Sequence, residues 1–187
     1  TAVALIHATC VRASEESDLL DGLTGVYNKR HLLERLVEEL KQAETNGTPL
    51  GLLILDLDHF RQYNRTNGSL QGDEVLKQLA QLLKSSVRES DVVGRFGGEE
   101  FVVIYPGANK ELVMRLAENL RHAIEEYPFV NRGQQPLGAV TVSGGVAAFP
   151  DDSCKADNLL RCADHALYEA KAEGRNRIVP AESNFLV

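Results

Sequence analysis

The stretch Val92-Val-Gly-Arg-Phe-Gly-Gly-Glu-Glu-Phe-Val-Val-Ile-Tyr105 decides the fold. Val92–Phe96 and Phe101–Tyr105 are β-branched and aromatic, and Gly97-Gly98-Glu99-Glu100 lies between them, so the stretch reads as two strands joined by a hairpin. The glycines permit positive φ in the turn and close approach of the backbone to a ligand. A hairpin forces antiparallel pairing, so the sheet that contains it is not purely parallel.

Working outward, Leu50–Leu57 is an apolar run with one acid, suited to a central strand buried on both faces. Upstream, Asp18–Arg30 is a turn-rich approach to a helix carrying Leu32, Leu33, Leu36, Val37 and Leu40, ended by Asn46-Gly47 and Pro49. A polar loop, His59 to Gln71, is expected before a helix bearing Val75, Leu76, Leu79, Ala80, Leu82 and Leu83. Further along, Glu111–Glu126 reads as an amphipathic helix, Ala139–Phe149 as a strand, Ala156–Glu173 as a helix and Arg177–Val179 as a short last strand. Pro128–Pro136 is expected to be a loop or small hairpin. Alternating helices and strands with one hairpin predict an α/β fold, with a mixed, ferredoxin-like central sheet flanked by helices.

At 187 residues and 43% hydrophobic, the chain suits one domain with a sizeable core. A net charge of −7 argues against broad electrostatic binding to nucleic acid or acidic membrane, so an anionic ligand needs local cations and metal. Cys10, Cys154 and Cys162 show no CxxC spacing and read as reduced thiols. No apolar run reaches the roughly 18 residues of a membrane span. Residues 1–17 are expected to be a truncated linker or signalling helix, with the domain over 18–187.

Asp56 ends the central strand, and Asp58 follows on the same face. If the hairpin pairs beside that strand, Glu99 and Glu100 come next to Asp56. Such a cluster repels itself unless a cation or a raised pKa resolves it, and magnesium suits oxygen ligands shared with phosphate.

Gly97-Gly98-Glu99-Glu100-Phe101 resembles the GG[D/E]EF signature of the GGDEF family, the diguanylate cyclases. Its company gives it weight. Asp21-Gly22-Leu23-Thr24-Gly25 is similar to the family's D-x-L-T-G, and Asp56-Leu57-Asp58-His59-Phe60 to its D-x-D-x-F. Ala163 to Tyr168 and Lys171 to Asn176 resemble its A-D-x-A-L-Y-x-A-K-x-x-G-R-N ending. The resemblance covers Asp18 to Val179, in order and spacing.

It implies a nucleotidyl-cyclase-like sheet of about five strands and condensation of two GTP into cyclic di-GMP by a homodimer. Magnesium, with manganese as a substitute, would be held by Asp56, Glu99 and the carbonyl of Leu57. Glu100 would be a second acid, and Asn64 and Asp73 would read guanine. Lys171, Arg175, Arg61 and the backbone at His59 and Phe60 would hold phosphates, Lys171 and Arg175 sharing one side of the last helix. Arg88-Glu89-Ser90-Asp91 falls where the family places its R-x-x-D product-inhibition site, to which Arg95 would add. The family usually has Lys at Arg61, Asp at Arg65 and His at Ser69, so three positions depart. A silent receptor of GTP or cyclic di-GMP is the rival expectation. The resemblance also implies a cytoplasmic domain whose missing upstream part carries a sensory or regulatory domain and any membrane anchor.

Overall fold

The computed structural model describes residues 18–182, so the expected linker helix over 1–17, and Cys10, lie outside the described residues. Five strands make one sheet: β1 (Leu50–Leu57), β2 (Val92–Arg95), β3 (Glu100–Pro106), β4 (Val142–Phe149) and β5 (Ile178–Pro180). Their order is β2-β3-β1-β4-β5. β1 is antiparallel to both neighbours, β2–β3 is the hairpin, and β4–β5 is the parallel pair that makes the sheet mixed.

β1 sits centrally because both its faces are apolar. Leu53, Leu55 and Leu57 enter one core, while Leu50, Leu52 and Ile54 enter the other. All six are at most 2% exposed, each worth roughly 1.5–3 kcal/mol of burial. The first core is closed by α2 (Phe60–Asn67), α3 (Ser69–Ser86) and α4 (Lys110–Glu126). The second is closed by α1 (Lys29–Asn46) and α5 (Ala156–Ala172). The residues before α1 form a turn against the β2 edge, where Tyr27 bridges to Gly94.

Two expectations are corrected and a third, the Pro128–Pro136 loop, gains detail. His59–Gln71 is not a loop: α2 and the start of α3 fill it, divided at Gly68 with φ 85°. Its helical pattern is faint because only Phe60 and Tyr63 of α2 are buried. The segment expected as a loop or small hairpin holds a short 3₁₀ turn, Arg132–Gln134. The last helix stops at Ala172, so Arg175 is not on it; Gly174, Arg175 and Asn176 all take positive φ and turn the chain toward β5. Among the described residues, no helix is long and apolar enough to cross a membrane.

Candidate active site

The antiparallel register sets the acids beside one another. Asp56 pairs with Glu100 on β3 and with Ser143 on β4, and the Leu57 N–H donates to the Glu99 carbonyl at 3.3 Å. The hairpin turn is thereby fastened to the C-terminal end of β1. Asp56 is 8% exposed, and the Lys171 ammonium lies 2.9 Å from its carboxylate. Burial pushes Asp56 up to about 6; Lys171 opposes the rise, and repulsion from Glu99 and Glu100 adds to it.

A divalent cation would relieve that repulsion. Asp56 and the Leu57 carbonyl at the end of β1, with Glu99 in the hairpin turn fastened to it, are hard oxygen donors. Among the described residues, no three His, Cys, Asp or Glu side chains are grouped to hold a metal. Magnesium does not need such a cage, since it takes few protein ligands and completes its shell with phosphate and water. The residues present fit it in that role.

The glycines of the turn act by lacking side chains. Contrary to expectation, neither Gly97 nor Gly98 takes positive φ. A Cβ on Gly97 would lie 2.7 Å from Oε2 of Glu100, so a side chain there displaces that carboxylate; Gly98 faces open space. Arg95 holds the turn from below: its Nε and Nη2 donate to the Gly98 carbonyl at 3.1 and 2.7 Å, and its Nη1 to Asp21 at 3.0 Å. Asp21 also accepts from the Thr24 N–H and hydroxyl. Burial works against the Asp21 carboxylate, yet the Thr24 and Arg95 hydrogen bonds hold it below the usual carboxylate value.

Next to the turn is an open cleft of about 400 Å³ whose lining includes Phe60, Arg61, Asn64, Asp73, Arg95 and Glu99. It brings the expected base readers together with an acid and two cations. Oδ1 of Asn64 is buried without a partner. Leaving such an atom unpaired costs about 1–3 kcal/mol, so it is a group awaiting a ligand or water. Gly72 makes room for it, because a Cβ there would lie 1.8 Å from that oxygen. Asp73 lies in the second turn of α3 and projects toward the cleft rather than capping the helix. The Arg61 side chain has no ion pair or hydrogen bond to another described residue.

The cations expected for phosphate are split between two settings. Lys171 is spent on Asp56, whereas the Arg175 side chain is unpaired among the described residues. His59, at φ 56°, precedes α2 without a side-chain cap, leaving first-turn N–H groups near it without intrahelical acceptors. Behind them is a tie that sequence reasoning missed. Asp58 accepts from the Thr141 and Ser143 hydroxyls at 2.8 and 2.7 Å, and from the Asn176 N–H at 3.0 Å. Asn176 continues it to Glu125 and Arg121 on α4. The signal was present in the D-x-D and R-N spacing, but nothing local pairs the two.

Arg88 and Asp91 are together and Arg95 is not with them. Arg88 binds the Asp91 carboxylate through Nε and Nη2 and also reaches the Pro106 carbonyl. Arg95 pairs with Phe101 at the other end of β3, five residues or roughly 17 Å away along the strand. Arg95 therefore belongs to the turn and cleft. Arg88 and Asp91 line a separate hollow of about 290 Å³ with Leu20, Tyr27 and Lys84. Beneath it, the Tyr105 hydroxyl is buried without a partner.

Fold and site together define an α/β domain of the nucleotidyl-cyclase-like class. Residues 18–177 match the family model described as diguanylate cyclase, GGDEF domain, and the chain belongs to that family. It is 42% identical over 160 residues to diguanylate cyclase DgcP of Pseudomonas aeruginosa, covering 86% of this chain and 23% of that protein. It is 41% identical over 167 residues to the response regulator PleD of Caulobacter vibrioides, covering 89% and 37%. The chain thus spans well under half the length of either relative. Among solved structures, the GGDEF domain of DgcB from Caulobacter crescentus, in complex with c-di-GMP, superposes with a TM-score of 0.80 at 35% identity, covering 88% of this chain and 94% of that one.

Proposed function

We propose that this domain is a diguanylate cyclase, condensing two GTP into cyclic di-GMP as a magnesium-dependent homodimer. The observation that carries the reading is the single cleft in which Asn64 and Asp73 stand beside Glu99 and Arg61, next to the Asp56–Glu100 pair. Asp73 would accept from the paired N–H donors on guanine's Watson–Crick edge; adenine lacks that pair and would leave the carboxylate unsatisfied.

Each domain supplies one such cleft, so two copies face each other. The 3′-oxygen of one GTP bonds to the α-phosphorus of the other, the bond to the β-phosphate bridging oxygen breaks, and pyrophosphate leaves; the same step repeats in reverse sense. Glu100 would bind metal or assist loss of the 3′-proton, while Arg61, Arg175 and Lys171 would balance phosphate charge. Asp56, Glu99 and the Leu57 carbonyl would hold magnesium, or manganese in its place, which supplies charge neutralisation at the reacting oxygens. With a cation held there, Lys171 would no longer be needed to balance Asp56 and could turn to the phosphates.

The Arg88–Asp91 pair supports product inhibition at a second site. Its guanidinium is 53% exposed while the Asp91 carboxylate holding it is 1% exposed, so a planar donor is presented from a fixed base. Such a group binds phosphate in bidentate fashion and stacks on guanine. The complex of the DgcB domain with c-di-GMP supports the same ligand class here.

Incubation of the purified protein with GTP and magnesium, followed by chromatography, tests the reading. Cyclic di-GMP should form, and Glu99→Gln should lower its formation at least about 100-fold. No product from a form dimerised by an appended coiled coil, with GTP still bound, would replace the cyclase by a nucleotide receptor.

A further inference from the structure

The buried face of α4 is apolar except at one residue. Val113, Ala117, Leu120 and Ile124 fill the core, and Arg121 is buried beside them at 8% exposure. A buried guanidinium needs its donors paired, and α4 supplies acceptors from its own turns. Nε donates to Glu118 and Nη1 to Glu125, each at 2.9 Å, while Nη2 meets Nε2 of the His122 ring at 2.8 Å. The helix thus satisfies the charge by itself, yet Nη1 also donates to the Asn176 side-chain oxygen at 2.8 Å.

Asn176 is gripped from α4 at both ends of its amide. Its Nδ2 donates to the other Glu125 oxygen at 2.9 Å, and this bond holds the Glu125 carboxyl below the usual carboxylate value. Two residues on, the Ile178 N–H donates to the other Glu118 oxygen at 3.3 Å, which already fastens α4 to β5. The Asn176 bonds add orientation. Arg175 and Asn176 take φ of 67° and 48°, a left-handed pair that residues other than glycine rarely hold without support. The Arg175 side chain has no partner among the described residues, so this backbone turn alone sets its direction.

We infer that Arg121 is a positioning residue: with Glu125 it clamps Asn176, and so fixes the turn that aims Arg175 at the phosphates of a bound nucleotide. Both α4 side chains act through the turn rather than on the ligand. The inference rests on the phosphate role proposed above for Arg175, and not on turnover.

Calorimetric titration of the full chain with a GTP analogue carrying methylene for the α–β bridging oxygen, and separately with GMP, tests this without turnover. Arg121→Lys keeps the charge but loses the fork that reaches Asn176 and both acids, and should weaken analogue binding about 5–10-fold. Asn176→Gly keeps the left-handed backbone, removes the amide, and should give the same loss. GMP affinity should not move in either variant. In an Arg175→Ala background, Arg121→Lys should weaken the analogue no further, while its lowering of the thermal midpoint persists in both backgrounds. A lowered midpoint with analogue affinity intact in Arg121→Lys and Asn176→Gly is what a merely structural role would give, and overturns the inference. Losses that multiply in the double variant, or that extend equally to GMP, also overturn it. Unchanged analogue binding in Arg175→Ala removes the phosphate role and the inference with it. Absence of cyclic di-GMP from the wild type, with the binding results as expected, removes only the cyclase reading.

Discussion

Asp56 and Asp58 are two residues apart and do different work. Asp56 is raised by burial and by its acidic neighbours, the condition of a carboxylate that waits for a cation. Asp58 is 5% exposed and already satisfied by three donors. Two of these, Thr141 Oγ1 and the Asn176 N–H, meet one oxygen, Oδ2; Ser143 meets Oδ1. An asparagine could place its carbonyl toward the pair and its amide toward Ser143, whose hydroxyl can rotate to accept. Asp58→Asn should therefore cost little, whereas Asp58→Ala leaves a buried N–H and two hydroxyls unpaired and should cost about 2–4 kcal/mol. Urea unfolding of both variants separates them, and equal losses would show that charge, not hydrogen bonding, is what Asp58 supplies. The left-handed Arg175 and Asn176 turn hangs on this tie, so the alanine variant should also raise the KM for GTP.

At the scale of elements, β4 and α5 are in closer contact than side chains would allow. A Cβ on Gly145 would lie 1.9 Å from the Ala163 carbonyl oxygen and 2.4 Å from the Leu167 nitrogen, both backbone atoms that cannot rotate away. Gly145→Ala must move the helix and should cost about 3 kcal/mol, read as a lowered thermal midpoint; a loss below about 0.5 kcal/mol would mean the two elements slide freely. Lys171 rides on α5, so the same variant should loosen its 2.9 Å contact with Asp56. The strands were legible in the sequence because their signals are local: an apolar run for β1, and two branched runs about a glycine pair for the hairpin. The acids at the β1 end followed from that pairing alone. The helix α2 was not legible, because two buried residues in eight leave no clear periodicity. Nor were the partners of Arg95 and Asp58, which stand 74 and up to 118 residues away and are joined only by the folded sheet.

Across the whole molecule, two electrostatic effects act in opposite directions. Each chain carries −7, so on the proposed reading two copies would repel as they approach, while Arg61 in the cleft, together with Arg175, would draw an anionic nucleotide. Salt screens both. The screening length falls from about 30 Å at 0.01 M to about 8 Å at 0.15 M, a span that covers encounter between domains and steering of nucleotide. At low protein concentration and saturating GTP, activity is limited by association, and raising salt over that range should increase the specific activity. At high protein concentration and low GTP, activity is limited by nucleotide capture, and the same salt should decrease it. Initial rates in a two-by-two set of protein and GTP concentrations, each at both salts, check the reversal of sign. A fall in both corners would show that the faces meeting in the dimer are complementary in charge despite the net value, and would place the attraction in local patches. A rise in both would mean that nucleotide binding does not depend on these guanidiniums, against the roles given to Arg61 and Arg175.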